Sequence, residues 1–319
     1  MLDVFVGNIE YGFIDFCLRC DVALFFFGYV RNAEERCKIS SAPPNPGSGC
    51  CGSAVGVDKS IPGFYAQLSQ YPWIGIIEHR KENKTKLLCG AVLISGRYML
   101  SAAQCFGARA QQLGKPANVR LGEYITTNDG PDCVEVGGSQ ECSDGALKIP
   151  IEKVITHPDF HKEQNFHDDI ALIRLAQMAP ITDFIKPICL PTSDIAVEAP
   201  QQRMWTAGWG AINDTSSASD RLHHVDLPYV TLDSCQAAYN TSNTRQIKLG
   251  QGQLCAGGEE GKDACKGDAG GPLMYARGYT TEVVGIVSFG GIPCGKLGVP
   301  GVYTKVFAYD AWIRANIED

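Results

Sequence analysis

Three short segments of this 319-residue chain carry the residue types that could do chemistry. The first, residues 265–273, reads CKGDAGGPL, where glycines, an aspartate and a proline surround Ala269 as in a tight turn that presents a nucleophile. The second, residues 100–106, reads LSAAQCF, and the third, residues 168–175, reads DDIALIRL. Such segments can bring a nucleophile, a proton acceptor and an orienting carboxylate into one cleft, which is the machinery of acyl transfer. The turn, however, carries a methyl group where that chemistry needs a hydroxyl.

Two further motifs complete a characteristic order along the chain. TAGWG occupies residues 206–210 and VSFGG occupies residues 287–291. With the three segments above, they make residues 60–319 resemble the trypsin-like serine proteases of the chymotrypsin family. A long two-cysteine loop followed by IPIEKVITHPDF is similar to that of arthropod clip-domain proteases and their non-catalytic homologues. The resemblance implies an all-β fold of two antiparallel six-stranded β-barrels with the active cleft between them, a C-terminal helix and a disulfide-bearing N-terminal extension.

The resemblance also assigns the three catalytic positions. Gln104 stands where the family has its histidine, Asp169 where it has its aspartate, and Ala269 where it has its serine. A methyl group cannot attack a carbonyl, and a glutamine amide accepts no proton near neutral pH, so the nucleophile and the general base are both absent. Losing either removes most of the catalytic factor, because the triad acts as a unit. His167 lies two residues before Asp169 but has no hydroxyl to activate. We therefore predict a chain without peptidase activity, in which Gln104 donates its amide N–H to Asp169.

The ligand-binding half of such a site is present in the sequence. Asp263 lies six residues before Ala269, where trypsin-like members hold the acid that pairs with a substrate Lys or Arg. Gly290 and Gly301 match the small residues that keep this pocket open. The alternative interpretation is that Asp263 is simply an acidic residue in a disulfide loop, without a role in binding. The resemblance further implies an oxyanion hole formed by the backbone N–H groups of Gly267 and Ala269, which need no side chain.

Fourteen cysteines with wide spacing predict disulfides and an oxidising compartment. Cys17 and Cys20 form a CxxC, but no second CxxC or histidine pair completes a zinc set, so we expect no metal site. The resemblance ties Cys189 to the segment upstream of the cleavage site, and the spacing leaves Cys50 and Cys51 as alternative partners. It implies four pairs within the protease-like region: Cys89–Cys105, Cys133–Cys142, Cys235–Cys255 and Cys265–Cys294.

Export is supported by three sequons, at Asn83, Asn213 and Asn240, which predict glycosylation. Residues 1–35 do not show the pattern of a secretory signal, and their apolar run is too short to span a bilayer. We predict a secreted protein whose N-terminus is incomplete or misassembled in this sequence.

Composition shifts divide the chain into three predicted regions. Residues 1–39 form an extension similar to a truncated clip module, residues 40–59 form a linker that begins SSAPPNPGSG, and residues 60–319 form the trypsin-like domain. The resemblance places an activating cleavage between Lys59 and Ser60. In the family, the new N-terminus is a bulky aliphatic residue that enters an apolar pocket. Because Ser60 is small and polar, we predict that cleavage orders the pocket poorly.

Charge and composition exclude several other classes of protein. The net charge is −7 with a pI near 5.4, and no basic run is present, so we expect no nucleic-acid partner. No motif indicates a cofactor. The acidic residues of the two-cysteine loop are typical of calcium ligands, but a solvated acidic loop is the preferred interpretation.

Hydrophobic periodicity agrees with a β-rich body. Runs rich in Val, Ile, Leu and Tyr recur between turn signals and predict strands: WIGIIEH, GAVLISGRYML, NVRLGEY, PIEKVITH, DIALIRL, TEVVGIVSF and GVYTKV. Only the C-terminal segment VFAYDAWIRANI has a helical pattern, which predicts one buried face with Phe307, Ala311, Ile313 and Ile317.

The leading functional hypothesis is a catalytically inactive serine protease homologue that binds proteins. The resemblance implies a cofactor or decoy in an extracellular proteolytic cascade such as arthropod melanisation, with proteases, zymogens or inhibitors as partners. One alternative is a residual trypsin-like endopeptidase. Another is a recognition module for peptides or microbial surfaces, in which the cleft has no role.

Overall fold

The fold is described from a computed structural model. It describes residues 37–54, 64–160, 166–198, 202–213, 215–241 and 247–319. Ile39–Asp319 form one compact unit. The predicted cleavage site at Lys59 and Ser60 and most of the predicted extension lie outside the described residues, so the division of the chain into three regions stays a prediction.

Strands make up most of the regular structure in the described part of the chain. In chain order they are β1 (Ile74–Lys81), β2 (Lys84–Leu93), β3 (Tyr98–Ser101), β4 (Lys115–Leu121), β5 (Cys133–Val136), β6 (Ser139–Cys142), β7 (Leu147–Thr156), β8 (Ala171–Leu175), β9 (Arg203–Gly208), β10 (His223–Val230), β11 (Gln253–Gly257), β12 (Pro272–Arg277), β13 (Thr280–Phe289) and β14 (Pro300–Lys305). All seven segments predicted as strands overlap observed ones.

Twelve of these strands close into two antiparallel barrels, which confirms the predicted fold. The first barrel has the order β1-β2-β3-β8-β7-β4, and the second has the order β10-β11-β14-β13-β12-β9. Closure leaves neither sheet with an unpaired edge. Strands β5 and β6 form a separate two-stranded hairpin, exposed along nearly all its length.

The two barrels share a continuous hydrophobic core. Ile77 of β1, Leu121 of β4 and Ile173 of β8 are fully buried inside the first barrel. Trp73, just before β1, donates its indole Nε1–H to Sδ of Met274 in β12 at 3.0 Å. This contact joins the first barrel to the second and holds residues of both at a fixed geometry where the barrels meet. That region, which contains Gln104, Asp169 and Ser288, is called the groove below.

Helices are short. They are α1 (Ala108–Leu113), α2 (Ile195–Glu198), α3 (Leu232–Thr241) and α4 (Asp310–Ala315), with 3₁₀ turns at Pro46–Ser48, Ala103–Phe106 and Val306–Tyr309. Helix α3 was not predicted from the sequence. Its buried residues are Cys235 and Tyr239, and a disulfide rather than a long apolar stripe attaches it to the second barrel.

The predicted face of the C-terminal helix is wrong in part. Phe307 is 40% exposed and Ala311 is also exposed, whereas the buried residues of this segment are Val306, Tyr309 and Ile313. The segment starts as a 3₁₀ turn and becomes α-helical only at Asp310. Because a 3₁₀ turn has three residues per turn instead of 3.6, the inward positions shift relative to a continuous α-helix.

Disulfides connect the described segments. The structure contains the four pairs that the resemblance implies, Cys89–Cys105, Cys133–Cys142, Cys235–Cys255 and Cys265–Cys294. The partner of Cys189 is Cys51, across 138 residues of sequence. Next to it, Gly52 donates its N–H to the carbonyl of Pro187 at 2.9 Å and accepts from Thr281 N–H at 2.9 Å. Residues 51 and 52 of the linker are therefore attached to the segment between the two barrels and to β13 of the second barrel.

Candidate functional site

Gln104 and Asp169 come together because strands β3 and β8 pair side by side. Ser101, at the end of β3, lies opposite Ala171, at the start of β8. Gln104 follows in the 3₁₀ turn after β3, and Asp169 lies two residues before β8. The Cys89–Cys105 disulfide fixes the turn beside Gln104.

The Gln104 carboxamide is held by two acceptors. Its Nε2 donates to Oδ2 of Asp169 at 2.7 Å and to the carbonyl oxygen of Ser288 at 2.6 Å. The backbone N–H of Gln104 donates to Oδ1 of Asp169 at 2.9 Å. Both amide hydrogens are therefore used, and the predicted contact between Gln104 and Asp169 is present in the geometry.

Asp169 is fully buried but well supplied with donors. Burial raises the pKa of its carboxyl group, and the hydrogen bonds from Ser288 Oγ (2.6 Å) and Gln104 oppose that shift. Its own carbonyl oxygen accepts from Thr304 Oγ1 at 2.7 Å, which fixes the backbone. The groups that donate to this carboxyl group are therefore the amide of Gln104 and the hydroxyl of Ser288. Neither group accepts a proton near neutral pH, as an imidazole would.

Ala269 lies in a tight turn pressed against the same region. Its carbonyl oxygen accepts from Gly90 N–H at 2.9 Å and lies 3.6 Å from Sγ of Cys105. The next residue, Gly270, has φ of +83°, and a Cβ there would collide with Ser101 Oγ and the carbonyl of Gly90. Glycine is therefore required at this position.

The turn leaves two backbone donors unused. Among the hydrogen bonds of the described residues, the N–H groups of Gly267 and Ala269 have no acceptor. Buried Asp268 holds the turn in place by accepting from Gly210 N–H at 2.8 Å and Cys265 N–H at 2.9 Å. Paired free N–H groups in a fixed turn are suited to bind a carbonyl oxygen.

Two glycines lie against the carboxylate of Asp263, and the region that they border is called the Asp263 pocket below. A Cβ on Gly301 would lie 2.8 Å from Oδ1 of Asp263, and one on Gly290 would lie 3.3 Å from Oδ2. Oδ2 accepts a long bond of 3.4 Å from Gly295 N–H, whereas Oδ1 is buried without a partner. The buried hydroxyl of Tyr303, close to the same pocket, also has no partner. An unpaired buried carboxylate oxygen calls for a donor from a ligand.

Burial raises the pKa of Asp263 to about 7, and the nearby charge of Asp268 acts in the same direction. A cationic side chain bound against Asp263 would favour its ionised form. The pocket is therefore suited to a guanidinium or ammonium group, and its own charge depends on pH in the neutral range.

None of the nearby histidines takes the place of Gln104. His167 Nε2 bonds to the carbonyl of Lys248 at 2.8 Å. His79 is fully buried behind the turn, where Nε2 donates to the carbonyl of Cys105 at 3.1 Å, and burial lowers its pKa. Because the imidazole of His79 is fully buried, it cannot exchange a proton with a ligand bound in the groove.

A buried arginine contacts one acidic residue of the loop before β5 and two acidic residues next to it. The guanidinium of Arg120 contacts Glu78 at 2.6 Å, Glu123 at 3.1 Å and Asp129 at 3.2 Å. No cluster of metal-ligating residues occurs among the described residues. In the same residues, no helix combines the length and apolar character needed to cross a bilayer.

A model of the family described as Trypsin matches residues 60–313, which is most of the chain. The chain belongs to the trypsin family. The two closed barrels, the groove with Gln104 and Asp169, and the Asp263 pocket are therefore parts of a trypsin-family domain.

Similar proteins carry the names of arthropod proteases. The phenoloxidase-activating enzyme of Bombyx mori is 48% identical over 88% of this chain, and the match spans 66% of that protein, just under two thirds of its length. CLIP domain-containing serine protease B9 of Anopheles gambiae is 37% identical over 86% of this chain and 67% of its own. Among solved structures, the Drosophila Grass clip serine protease of the Toll pathway superposes with a TM-score of 0.69 at 32% identity, covering 82% of this chain and 73% of that one.

Sequence reasoning missed three residues of this trypsin-family site. Ser288 supplies both a hydroxyl to Asp169 and a carbonyl to Gln104, and Thr304 holds the Asp169 backbone. Tyr303 borders the Asp263 pocket. Ser288 lies inside the VSFGG motif, which was a usable signal, but nothing in the sequence connects β14 with Asp169.

Proposed function

We propose that this chain is a secreted, non-catalytic member of the trypsin family that acts by binding protein partners in an extracellular proteolytic cascade. One observation carries the proposal. Where the family's acyl-transfer chemistry needs a base and a nucleophile, the groove holds an amide whose hydrogens are both donated and the methyl group of Ala269. Neither group can take up a proton or attack a carbonyl carbon.

Binding is supported by the features that remain. Asp263 has an unpaired buried oxygen in a glycine-lined pocket, and Gly267 and Ala269 offer free N–H groups. Together they suit an extended peptide with Lys or Arg in the pocket and the following carbonyl at the two N–H groups. The names of the relatives, a phenoloxidase-activating enzyme and a clip protease of the Toll pathway, support a role in a cascade of this kind.

Secretion and glycosylation are part of the same proposal. Ten described cysteines form the five pairs given above, and Cys37 and Cys50 are also disulfide-bonded, which agrees with an oxidising compartment. The sequon residues Asn83, Asn213 and Asn240 all lie at the surface. Mass measurement before and after removal of N-linked glycans from the protein in extracellular fluid tests both statements.

The enzymatic alternative is tested directly. Purified full-length protein is incubated with an Arg-containing chromogenic ester and, separately, with a fluorophosphonate, with trypsin as the positive control. We expect turnover at the buffer rate and no covalent adduct. Turnover or an adduct above background would establish residual endopeptidase activity and refute the proposal.

The role of the cleft is tested by capture. Immobilised protein is exposed to extracellular fluid, and retained partners are compared between the natural chain, Asp263→Ala and the matched control Glu260→Ala, which changes an exposed acid three residues away. We expect Asp263→Ala to lose the partner and Glu260→Ala to keep it. Equal capture by all three would assign binding to another surface and favour the recognition-module alternative.

A further inference from the structure

The end of the β1–β2 hairpin places positive charges next to one another. Lys81 and Lys84 are direct partners across the two strands, and Arg80 is the partner of Lys115 at the start of β4. Lys86 lies two residues after Lys84, on the same face of β2. All five residues are exposed, and together they are called the basic hairpin below. Like charges directly opposite each other destabilise an antiparallel sheet, so packing does not explain this arrangement.

The charges of the basic hairpin have no counter-charge in the part of the chain that the structure describes. None of the five residues forms an ion pair there, and Lys81 Nζ instead donates to the carbonyl of Gln112 at 3.1 Å. Cations elsewhere are well paired, since Arg174 and Arg203 each contact two acidic residues. Glu82, in the turn of the hairpin, pairs with none of the five. A local excess of positive charge therefore exists on a chain whose net charge is −7.

Strand pairing brings these charges together. Residues 80–86 read RKENKTK, so polar and acidic residues separate the lysines along the sequence. The fourth strand adds Lys115 only when it pairs with β1. Short segments rich in Lys and Arg are typical of surfaces that bind nucleic acid or heparin. The folded hairpin thus has an anion-binding surface that the spacing of the cations along the sequence does not show.

The composition of the basic hairpin indicates what kind of anion it suits. Residues 80–86 contain no large apolar side chain, whereas protein–protein interfaces depend on aromatic and aliphatic residues at their centre. A ligand here is therefore held by charge and polar contacts.

The cations also lie on both faces of the hairpin. Lys81, Lys84 and Lys86 share one face, and Arg80 and Lys115 share the other, because neighbours along a strand point to opposite sides. A flexible linear polyanion can pass over the end of the hairpin and reach both faces, which a rigid acidic protein surface cannot do.

We propose that the basic hairpin binds a sulfated polysaccharide and so holds this chain on an extracellular matrix or cell surface. Sulfate groups stay ionised throughout the neutral pH range, and a linear polyanion releases condensed counterions when cations of a protein neutralise it. This site goes beyond the proposed function, since it involves neither the groove nor the Asp263 pocket. The predicted sequon residue Asn83 lies in the turn, whereas Lys86 and Lys115 lie farther from it and stay accessible beside a glycan.

The test measures binding of a heparin oligosaccharide to the full-length protein by calorimetry, before and after removal of N-linked glycans. A poly-glutamate peptide of equal charge represents an acidic protein segment. We expect the heparin oligosaccharide to bind both forms of the protein and to bind more tightly than poly-glutamate. Between 50 and 200 mM NaCl its affinity should fall by roughly 100-fold or more, because several cations release counterions together.

A double variant locates the site. Lys84→Ala, Lys86→Ala should weaken heparin binding by roughly tenfold and should reduce the slope of log affinity against log salt by about two. The matched control is Lys248→Ala, Lys296→Ala, which removes two exposed lysines outside the hairpin and changes the net charge equally. The control should bind as the natural chain does. Thermal melting should show both variants folded, since all four positions are at the surface.

Three results would overturn the inference. The first is absence of heparin binding at 50 mM NaCl, or binding only after the glycans are removed. The second is equal loss of affinity in the two double variants, which would assign the effect to net charge. The third is tighter binding of poly-glutamate than of heparin, which would assign the basic hairpin to an acidic protein segment.

Discussion

At the scale of single residues, the site holds a buried carboxyl group that is supported by an amide and a hydroxyl. Asp169 is fully buried, and burying a carboxyl group without partners is costly. Gln104 supplies two donors to it, from Nε2 and from the backbone, and Ser288 supplies a third. Gln104 therefore stabilises the buried carboxyl group of Asp169, although its amide cannot act as a base near neutral pH.

Replacing Gln104 by Leu should destabilise the fold by about 1–3 kcal/mol, because the Asp169 carboxyl group and the Ser288 carbonyl each lose a donor in a buried setting. Denaturant unfolding measures this. The control is Gln112→Leu, a substitution at an exposed position of α1, which should stay within about 0.5 kcal/mol of the natural chain. Equal stabilities of the two variants would show that Gln104 does not support Asp169.

A second prediction at this scale concerns Asp263 and pH. Because its pKa is raised to about 7, the free pocket loses its charge as the pH falls through 7. Benzamidine, which stays cationic, should therefore bind more weakly by about tenfold per pH unit below 7 and should reach a plateau above about pH 8. Calorimetric titration between pH 5.5 and 8.5 measures the profile.

The Glu260→Ala variant should reproduce that profile, and Asp263→Asn should bind benzamidine weakly at every pH. An affinity independent of pH in the natural chain would mean that Asp263 is not the group that receives the cation.

At the scale of elements, ion pairs of Arg120 connect two strands of the first barrel with the segment that follows β4. Arg120 of β4 contacts Glu78 of β1 and Glu123 in the segment after β4, and all three are buried. Burial raises the pKa of Glu123, whereas Asn118 and Arg120 hold the pKa of Glu78 below its usual value against the effect of burial. This arginine makes the acidic residues at the start of the long loop compatible with the barrel.

Arg120→Leu should therefore destabilise the protein by about 3–5 kcal/mol, because two buried carboxyl groups lose their counter-charge. The matched control is Arg97→Leu, which removes the ion pair with partly exposed Glu152 (2.7 Å) and a hydrogen bond to the carbonyl of Leu175 (3.1 Å) and should cost about 1–2 kcal/mol. Thermal melting of both variants at pH 7.5 makes the comparison. A small effect of Arg120→Leu would show that water or another cation compensates these acids.

At the scale of the whole molecule, two barrels hold the components of the groove without depending on their chemistry. Gln104 and Asp169 come from the first barrel, whereas Ser288, Thr304 and the Asp263 pocket come from the second. The shared core around Trp73 and Met274 fixes one barrel against the other. The geometry of the groove therefore depends on the packing of the two barrels and not on a nucleophile or a base.

This view predicts that chemistry can be restored. In the double variant Gln104→His, Ala269→Ser, we expect hydrolysis of an Arg ester at least about 100-fold above the natural chain, because the oxyanion donors and the pocket are already placed. Each single variant should stay near background, since the triad acts as a unit. A chromogenic assay on all four proteins decides the matter. An inactive double variant that still binds benzamidine would show that the groove itself has become distorted.

The sequence by itself determined the family, the barrel fold, the strands with regular alternation and the chemical identity of the residues in the groove. The order of the motifs along the chain predicts the family and the site because the turns that form the groove require particular residues. Gly270, with its positive φ, is one of them. The tertiary structure alone decided the partner of Cys189, the inward face of the C-terminal segment, and the strands β9 to β12, whose patterns are interrupted by Gly, Pro and paired histidines. It also decided that both hydrogens of Gln104 are donated, because Ser288 is 184 residues away and reaches Gln104 only when the second barrel packs against the first.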